Sequence, residues 1–308
     1  MRLLVVGAAG QVGGAVAAAA EARGDTVLGT YISRPPAWSE DRVARLDKTD
    51  PGTFGPALDR LRPEWVVDTG ALHNVDYCEA HPEEALAANR DGSAALAQAA
   101  ASRGAGFVFV STDFVFDGGG SPPYRETDPA RPLSVYGRSK LEGEAAVQRA
   151  APSSLVVRPS VIYSWVPPAR RAASASQKPL NFGTWVIDSL VAGKPLRIVE
   201  DQVASPTLAE DLAAAILALI DRRARGLYHA AGATAVDRYT FTVRIAEALG
   251  LPTAGIAPIA TASLKQVARR PLNSSLDSSK LARDSGHAMA PLPEALARLA
   301  AAWKRSPA

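Results

Sequence analysis

The chain has 308 residues, enough for one large α/β unit or two smaller domains with a buried core. Apolar residues make up 47% and charged residues 21%, which excludes a fibrous, a disulfide-rich or a largely disordered protein. The formal net charge is +3 and the basic residues are spread along the chain, so no nucleic-acid partner is expected. The single cysteine, Cys78, cannot form an intramolecular disulfide, which fits a reducing compartment.

The first residues are apolar, but glycines at positions 7, 10, 13 and 14 favour a strand, a turn and a helix over a signal peptide. The longest unbroken apolar segment elsewhere covers residues 212–220, well short of the ~20 residues that cross a bilayer. We therefore expect a cytoplasmic protein with no membrane partner.

Short β-branched segments alternate with alanine- and leucine-rich ones, which predicts a parallel sheet covered by helices. Strands are predicted at residues 3–6, 26–29, 43–46, 65–68, 106–111 and 155–158, with helices at 11–22, 54–61, 82–102 and 135–150. Residues 163–180 lack a period and predict a mobile surface loop, in which Trp165, Arg170, Arg171 and Lys178 form either a lid over a pyrophosphate or a solvated basic surface. Helices at 182–192, 207–220, 238–249 and 293–303 and strands at 196–199 and 226–230 complete the chain.

The segment from Gly7 through Gly10 to Gly13 lies between the first predicted strand and the first predicted helix, with GxxGxxG spacing. Glycines allow the backbone to turn tightly against a pyrophosphate, and a helix N-terminus favours that anion. The alternative without a ligand is a glycine-rich helix start packed against a strand. The position directly after a hydrophobic strand favours a dinucleotide site.

The end of the second predicted strand indicates which dinucleotide binds. Sites that prefer NAD usually carry an acidic residue there for the ribose 2′-hydroxyl, but residues 29–34 contain none. Ser33 and Arg34 are able to bind a 2′-phosphate instead, so NADPH is favoured over NADH. The alternative is that Arg34 is a solvated loop residue before Pro35.

Tyr136 and Lys140 are four residues apart at the start of a predicted helix and therefore share one face. Thr112 follows the fifth predicted strand. We expect Lys140 to lower the pKa of Tyr136, Thr112 to hold a substrate oxygen and Tyr136 to protonate that oxygen as a hydride arrives. The YxxxK pattern alone is common on exposed helices, but its distance from the glycine turn favours a catalytic site.

Several further motifs point to one family. They are Gly10-Gln11-Val12-Gly13, Val75-Asp76 with Cys78-Glu79, residues 111–118 (STDFVFDG), residues 132–137 (PLSVYG) with 139–144 (SKLEGE), Asp201-Gln202, residues 205–207 and 211–213, Arg270-Pro271 and Asn273-Ser274. Together they resemble the extended short-chain dehydrogenase/reductases, and within them the dTDP-4-dehydrorhamnose reductase (sugar-nucleotide reductase) family. The resemblance implies an α/β fold, a Rossmann-type doubly wound parallel sheet with a smaller C-terminal α/β substrate domain. It implies a dinucleotide-binding domain of residues 1–160, to which 205–232 return, and a substrate domain of 161–204 and 233–308.

The resemblance also implies roles for individual residues. Gly10, Gln11 and Val12 would contact the pyrophosphate, Asp47 and Lys48 would lie near the adenine, and Gly70, Ala71, Leu72 and His73 would line the nicotinamide ribose. Thr112 and Asp113 would meet the sugar, with Tyr136 as the acid and Lys140 bridging to the ribose hydroxyls. Asn181, Gln202 and Arg270 are candidates on the nucleotide-sugar side. No metal is expected, because no cluster of histidine, cysteine or acidic residues has the spacing of a zinc site.

Two residues depart from the family pattern. Val161 stands where rhamnose-forming members have a tryptophan over the sugar, and Phe114 replaces the tyrosine that follows Thr-Asp. The implied activity is NADPH-dependent reduction of the 4-keto group of a nucleotide-activated deoxysugar. The sequence leaves open whether the protein is a monomer or a homodimer. The alternatives are a non-catalytic NADP-binding regulatory subunit similar to methionine adenosyltransferase β and a nucleotide-sugar epimerase. Phe114 argues against a dehydratase, and His229 is predicted to be structural.

Overall fold

The computed structural model describes residues 1–32, 35, 38–168 and 181–306. Thirteen strands occur in these residues. In chain order they are β1 (Arg2–Val6), β2 (Thr26–Tyr31), β3 (Val43–Arg45), β4 (Trp65–Asp68), β5 (Gly106–Val110), β6 (Leu155–Arg158), β7 (Ile162–Tyr163), β8 (Leu196–Val199), β9 (Val203–Ala204), β10 (Thr207–Leu208), β11 (Gly226–His229), β12 (Val236–Asp237) and β13 (Ile256–Ile259). Seven of them form one parallel sheet in the order β11-β6-β5-β4-β1-β2-β3, which confirms the predicted fold class.

Helices cover both faces of this sheet and build the rest of the molecule. They are α1 (Gln11–Ala22), α2 (Phe54–Leu61), α3 (Val75–Ala80), α4 (Pro82–Leu86), α5 (Gly92–Ala101), α6 (Val135–Ala150), α7 (Phe182–Val191), α8 (Ala209–Asp221), α9 (Arg238–Leu249), α10 (Ser279–Ser285) and α11 (Leu292–Arg305). A π-helical segment, Ala87–Asp91, joins α4 to α5. No helix of the described residues is both long enough and apolar enough to span a membrane.

Two apolar layers sandwich the central sheet because successive side chains of a strand point to opposite faces. Leu3 and Val5 of β1 pack in the layer that contains α1 and α8, whereas Leu4 and Val6 pack in the layer that contains α2 and α5. The continuous apolar strands predicted from the sequence are therefore buried on both faces.

A separate apolar cluster lies outside the central sheet, around α7, α9 and α11. Ile187, Phe241, Ile245 and Leu296 are fully or almost fully buried in it. The short parallel pairs β8 with β13 and β7 with β10 belong to the same region. The molecule thus has a second core. Val161 and Tyr163, which follow the carboxyl end of β6, are part of it.

Some predictions differ from the structure. The single helix predicted at 82–102 is α4, the π-helical segment and α5, which ends at Ala101. The helix predicted to begin at Thr207 begins at Ala209, because Thr207 and Leu208 pair with β7. The loop predicted from residue 163 contains the end of β7, and its residues 169–180, with Arg170, Arg171 and Lys178, lie outside the described residues. Trp165 as a lid residue is wrong, because its ring is buried and its Nε1 donates to the Ser306 carbonyl at 2.8 Å.

Candidate active site

The candidate site lies at the carboxyl edge of the central sheet, where parallel α/β sheets usually bind ligands. Gly7 follows β1, Gly70 follows β4, Thr112 follows β5 and Ser160 follows β6. Because these four strands are neighbours in the sheet, the residues after them lie along one edge. The sequence motifs thereby come together although up to 150 residues separate them.

The glycine turn has the shape of a pyrophosphate cradle. Gly7 has a φ of +78°, and a Cβ atom on Gly13 would lie 2.2 Å from the Gly7 carbonyl oxygen. The Gly10 amide donates to that oxygen at 2.8 Å, which closes the turn. No side chain caps the N-terminus of α1, so its first amide groups remain available to an anion. The turn therefore fits a dinucleotide, with Gly10, Gln11 and the half-buried Val12 at its open side.

Gln11 connects the glycine turn to the second core. Its Nε2 donates to the Ser164 hydroxyl at 3.2 Å. Asn181 contacts the same residue, since its Oδ1 accepts from the Ser164 amide at 3.4 Å. Asn181 also caps α7 by accepting from the Thr184 amide at 2.9 Å. The described contacts of Asn181 are thus structural.

The two predicted adenine residues have different surroundings. Asp47 accepts hydrogen bonds from the Thr49 amide and hydroxyl, which hold the pKa of its carboxyl below the ordinary value. Lys48 is buried, and its ammonium donates to Asp68 at 3.0 Å, to the Ser93 hydroxyl at 2.9 Å and to the Gly70 carbonyl. The Lys48 side chain therefore reaches into the protein rather than towards an adenine site. Ser33 and Arg34 lie outside the described residues.

The segment from Gly70 to His73, which is predicted to line the nicotinamide ribose, is held at two points. Lys48 holds Gly70, as described above. Asn89 holds Leu72, because its Oδ1 accepts from the Leu72 amide at 2.9 Å and its Nδ2 donates to the Leu72 carbonyl at 3.0 Å. Ala71 is half-buried, and the exposed His73 ring lies 3.4 Å from its carbonyl. The segment is thus fixed by Lys48 and Asn89 on its buried side, while His73 is exposed.

Asn89 also contacts α6, the helix that carries Tyr136 and Lys140. It is fully buried in the π-helical segment, and its Nδ2 donates to the Ser139 hydroxyl at 3.0 Å. Ser139 in turn donates to the Tyr136 carbonyl at 2.8 Å. One amide side chain therefore joins the Gly70–His73 segment to α6. The sequence analysis missed it, and the available signal was a polar residue inside a predicted helix.

The structure brings Tyr136 and Thr112 together. Tyr136 packs against the buried cluster of Cys78, Ala85 and Val135 and makes an edge contact with Phe114, with ring centres 6.2 Å apart. Burial raises the pKa of Tyr136, the hydrogen bond with Thr112 lowers it, and the charge of Asp113 raises it further. The pKa of Tyr136 is thus raised overall in the free protein, because burial outweighs the hydrogen bond with Thr112. Tyr136 is therefore a protonated acid at neutral pH.

Lys140 lies one turn further along α6 and is 1% exposed. Its ammonium is 3.9 Å from the centre of the Phe109 ring. Burial lowers the pKa of Lys140 to about 7, and the charge of Lys48 lowers it as well, whereas Asp68 and Glu144 raise it. Lys140 thus changes its charge near neutral pH in the free protein.

Replacing Lys48 with methionine is expected to raise the pKa of Lys140. The change removes a neighbouring positive charge and frees the Asp68 carboxylate, and both effects favour the protonated ammonium. An NMR titration of the Lys140 Cε resonance measures this pKa directly. The Lys48→Arg variant keeps the charge and is the matched control. An unchanged Lys140 titration in Lys48→Met would contradict the prediction.

Asp113 lies beside Thr112 and is almost fully buried. Its Oδ2 accepts from the Ser160 hydroxyl at 2.8 Å and from the Ser274 hydroxyl at 2.6 Å. Burial raises the pKa of Asp113, while these donors and the charge of Arg238 lower it. Two hydroxyls therefore fix the carboxylate next to the predicted sugar position, and neither serine was predicted.

Val161 follows Ser160 and has a φ of +41°. A β-branched residue in this left-handed region is a strained outlier, and such strain concentrates at functional sites. The half-buried Val161 side chain packs against the second core. The residue that replaces the family tryptophan thus holds an unusual backbone conformation directly beside the Ser160–Asp113 contact.

Gln202 and Arg270 both make protein contacts in the structure. The Gln202 amide donates to the Thr261 hydroxyl at 2.9 Å. The Arg270 side chain is 12% exposed, and its Nη1 donates to Asp76 at 2.9 Å and to the Ala268 carbonyl at 2.6 Å. These contacts fix the residues of the 261–270 segment against α3 and the loop before β9.

A buried ion pair joins the end of β6 to α6, next to the candidate site. Arg158, at the end of β6, donates to both carboxylate oxygens of Glu144 on α6, at 2.8 and 2.6 Å, and the Ser111 hydroxyl donates to the same carboxylate at 2.5 Å. Nearby, burial and the Arg158 charge lower the pKa of His229 to about 3. The ring Nδ1 of His229 lies 3.0 Å from the Tyr124 carbonyl, so this residue is structural, as predicted.

Comparison with known proteins decides the family. Residues 1–305 match the model of the RmlD substrate binding domain family. The chain belongs to this family. It is similar to a dTDP-4-dehydrorhamnose reductase of Sinorhizobium fredii, with 36% identity over 298 residues that cover 93% of this chain and 92% of the relative. The predicted resemblance is thereby confirmed.

Two other relatives carry different names. The probable low-salt glycan biosynthesis reductase Agl14 of Haloferax volcanii is 33% identical over 303 residues, which cover 98% of each chain. A methionine adenosyltransferase 2 subunit beta of Xenopus tropicalis is 32% identical over 293 residues, which cover 91% of this chain and 81% of the relative. The relatives of this chain thus include proteins named as reductases and a protein named as a subunit.

Solved structures show the same fold. A dTDP-4-dehydrorhamnose reductase of Clostridium acetobutylicum matches with a TM-score of 0.85 at 29% identity, covering 99% of this chain and 100% of that chain. A dTDP-4-dehydrorhamnose reductase of Bacillus anthracis in complex with NADP matches with a TM-score of 0.80 at 25% identity, covering 97% and 98%.

Proposed function

We propose that this protein is an NADPH-dependent reductase of the 4-keto group of a nucleotide-activated deoxysugar, similar to dTDP-4-dehydrorhamnose reductase. The observation that carries the proposal is the meeting of the Tyr136 and Thr112 hydroxyls at the sheet edge that also holds the glycine turn. The names of the Sinorhizobium fredii and Bacillus anthracis proteins, and the NADP bound to the latter, support it.

The residues of the site perform distinct steps. When bound, NADPH supplies the hydride that adds to the carbonyl carbon of the sugar. Tyr136 keeps its proton at neutral pH and donates it to the carbonyl oxygen, which thereby becomes a hydroxyl. Thr112 orients that oxygen, and Asp113 accepts a hydrogen bond from a sugar hydroxyl. The glycine turn would hold the pyrophosphate, and Lys140 would bind the ribose hydroxyls.

In this proposal the central sheet belongs to a dinucleotide-binding domain and the second core belongs to a substrate domain. Residues 1–160 and 205–232 form the dinucleotide-binding domain, while 161–204 and 233–308 form the substrate domain. The apolar clusters around the central sheet and α9 support most of this division, although Leu281 and Met289 of the C-terminal segment pack with the central sheet. We also propose a cytoplasmic location, which is supported by the buried, unpaired thiol of Cys78, the single cysteine.

Arg34 is expected to select the phosphorylated cofactor. Arg34→Ala should raise the KM for NADPH much more than the KM for NADH, because only NADPH carries the 2′-phosphate that a guanidinium pairs with. Steady-state kinetics with both cofactors measure the ratio, and the surface variant Arg60→Ala is the control. Equal effects on the two KM values would reject the assignment.

The activity itself is tested with purified protein, NADPH and 4-keto-6-deoxy sugars linked to dTDP, UDP or GDP. Oxidation of NADPH that depends on the sugar supports a reductase. The similarity to methionine adenosyltransferase 2 subunit beta favours a second candidate, an NADP-binding regulatory subunit. No turnover with any sugar, together with a stable complex with a methionine adenosyltransferase catalytic subunit, would support that candidate instead.

A further inference from the structure

Arg238 is a half-buried cation that the sequence analysis did not select. It is the first residue of α9, and its guanidinium carbon lies 5.0 Å from the centre of the Phe182 ring. Within the described residues, its side chain has no hydrogen bond and no ion pair, and none of its nitrogens is fully enclosed. A partly desolvated guanidinium that is unpaired within the described residues costs stability in the free protein, and such groups concentrate at functional sites.

The charge of Arg238 acts across the candidate site. It favours the ionised form of Asp113, and Asp113 in turn favours the charged form of Arg238, yet the two groups are too far apart for a salt bridge. Both hydroxyl partners of the Asp113 carboxylate come from other segments, Ser160 and Ser274. The positive charge of Arg238 and the carboxyl group of Asp113 therefore interact in the region next to Thr112, with no direct bond between them in the described residues.

Two of the three residues predicted on the nucleotide-sugar side, Gln202 and Arg270, hold neighbouring segments of the protein. Arg270 is held by Asp76 and the Ala268 carbonyl, and the Gln202 amide is held by Thr261. Arg238 is adjacent to them, because its backbone amide donates to the Gln202 carbonyl at 3.1 Å. Among these three side chains, Arg238 is the one that makes no hydrogen bond within the described residues.

The Arg238 side chain is also pre-organised. Phe182, on which it stacks, packs against Trp185 and Phe241, with ring centres 5.6 and 5.8 Å apart. A fixed ring restricts the rotamers of the stacked guanidinium, so little further conformational entropy is lost when a ligand binds. A planar guanidinium matches two phosphate oxygens at once, which an ammonium does not.

We propose that Arg238 binds the diphosphate of the nucleotide-sugar substrate, and that Arg270 and Gln202 instead hold the 261–270 segment in place. The contact is to the phosphate next to the sugar, because Arg238 lies across from Asp113 and thus close to the reacting sugar. The inference rests on the proposed function for the class of substrate.

The test measures nucleoside diphosphate binding by calorimetry in the presence of saturating NADP, which keeps the ligand out of the glycine turn. The probes are dTDP, UDP and GDP, and the variants are Arg238→Met, Arg238→Lys and Arg270→Met. Arg238→Met should weaken binding by about 10- to 100-fold, as expected for loss of a charge-assisted bidentate contact. Arg238→Lys should have an intermediate affinity.

Thermal unfolding separates this role from a structural one. Arg238→Met removes an unpaired, partly desolvated charge, so its Tm without ligand should equal or exceed that of the wild type. Arg270→Met leaves Asp76 and the Ala268 carbonyl without their partner, so its Tm should fall while its affinity for the diphosphate changes less than that of Arg238→Met.

The outcomes distinguish the inference from the proposed function. If Arg238→Met binds every nucleoside diphosphate as tightly as the wild type, or if Arg270→Met loses more affinity, the inference is wrong while the reductase proposal stands. If the wild type binds UDP or GDP but not dTDP, the dTDP-sugar is the wrong substrate, and the Arg238 comparison with the bound nucleotide still decides the inference. If the wild type binds none of the three, both are overturned.

Discussion

Tyr136→Phe is expected to reduce kcat by about 10²- to 10⁴-fold, because the variant loses the hydroxyl that protonates the substrate oxygen. Burial keeps the phenol protonated in the wild type, so this residue acts as an acid at neutral pH. The ring contacts with the Cys78, Ala85 and Val135 cluster and with Phe114 remain in the variant, and NADP binding should be retained. Steady-state kinetics and a fluorescence titration with NADPH measure the two quantities.

Tyr163→Phe is the matched control for this substitution. The Tyr163 hydroxyl is buried and has no hydrogen-bond partner among the described residues. Its removal should leave kcat unchanged and the Tm unchanged or slightly higher. A Tyr136→Phe variant with wild-type kcat, or with an effect no larger than that of Tyr163→Phe, would show that Tyr136 is not the proton donor.

Glu144→Leu is expected to lower the free energy of unfolding by about 3–5 kcal/mol. The substitution leaves Arg158 charged and unpaired at the end of β6, where its Nη1 already lacks a partner among the described residues. Both side chains of the pair are almost fully buried, so water cannot compensate for the loss. Urea unfolding followed by circular dichroism measures the change.

The double variant Glu144→Leu with Arg158→Leu controls for the loss of the carboxylate itself. It removes both charges together, and it should recover much of the lost stability because no buried charge remains unpaired. A Glu144→Leu variant that loses less than about 1 kcal/mol, or a double variant less stable than either single one, would contradict the role of the pair.

The central sheet was predictable because its strands are apolar on both faces and are separated by helices of ordinary length. The bounds of β4 and α1 agree with the predicted ones, residues 65–68 and 11–22. The second core was less predictable. Its strands β7 and β10 have two residues each, which is too short for a hydrophobic periodicity to be recognised in the sequence. They form by pairing between residues 45 positions apart.

The candidate site shows a similar division. Tyr136, Lys140 and Thr112 belong to local motifs, and their spacing along predicted elements brings them to one edge of the sheet. Arg238 and Asn89 belong to no motif, because their roles depend on which partners they find or lack in three dimensions. The Tyr136 pKa was also beyond sequence reasoning, since burial depends on the packed structure.

The Ser164 hydroxyl accepts a hydrogen bond from Gln11 of the glycine turn, and the same residue contacts Asn181 at the start of α7. A substitution at any of these residues disturbs both ends of the connection. In the proposed reductase, kinetic defects in such variants would report on linkage between the cofactor and substrate sites and would not by themselves identify a direct contact with either ligand. Reciprocity requires that the factor by which one ligand alters the affinity for the other be identical in both directions.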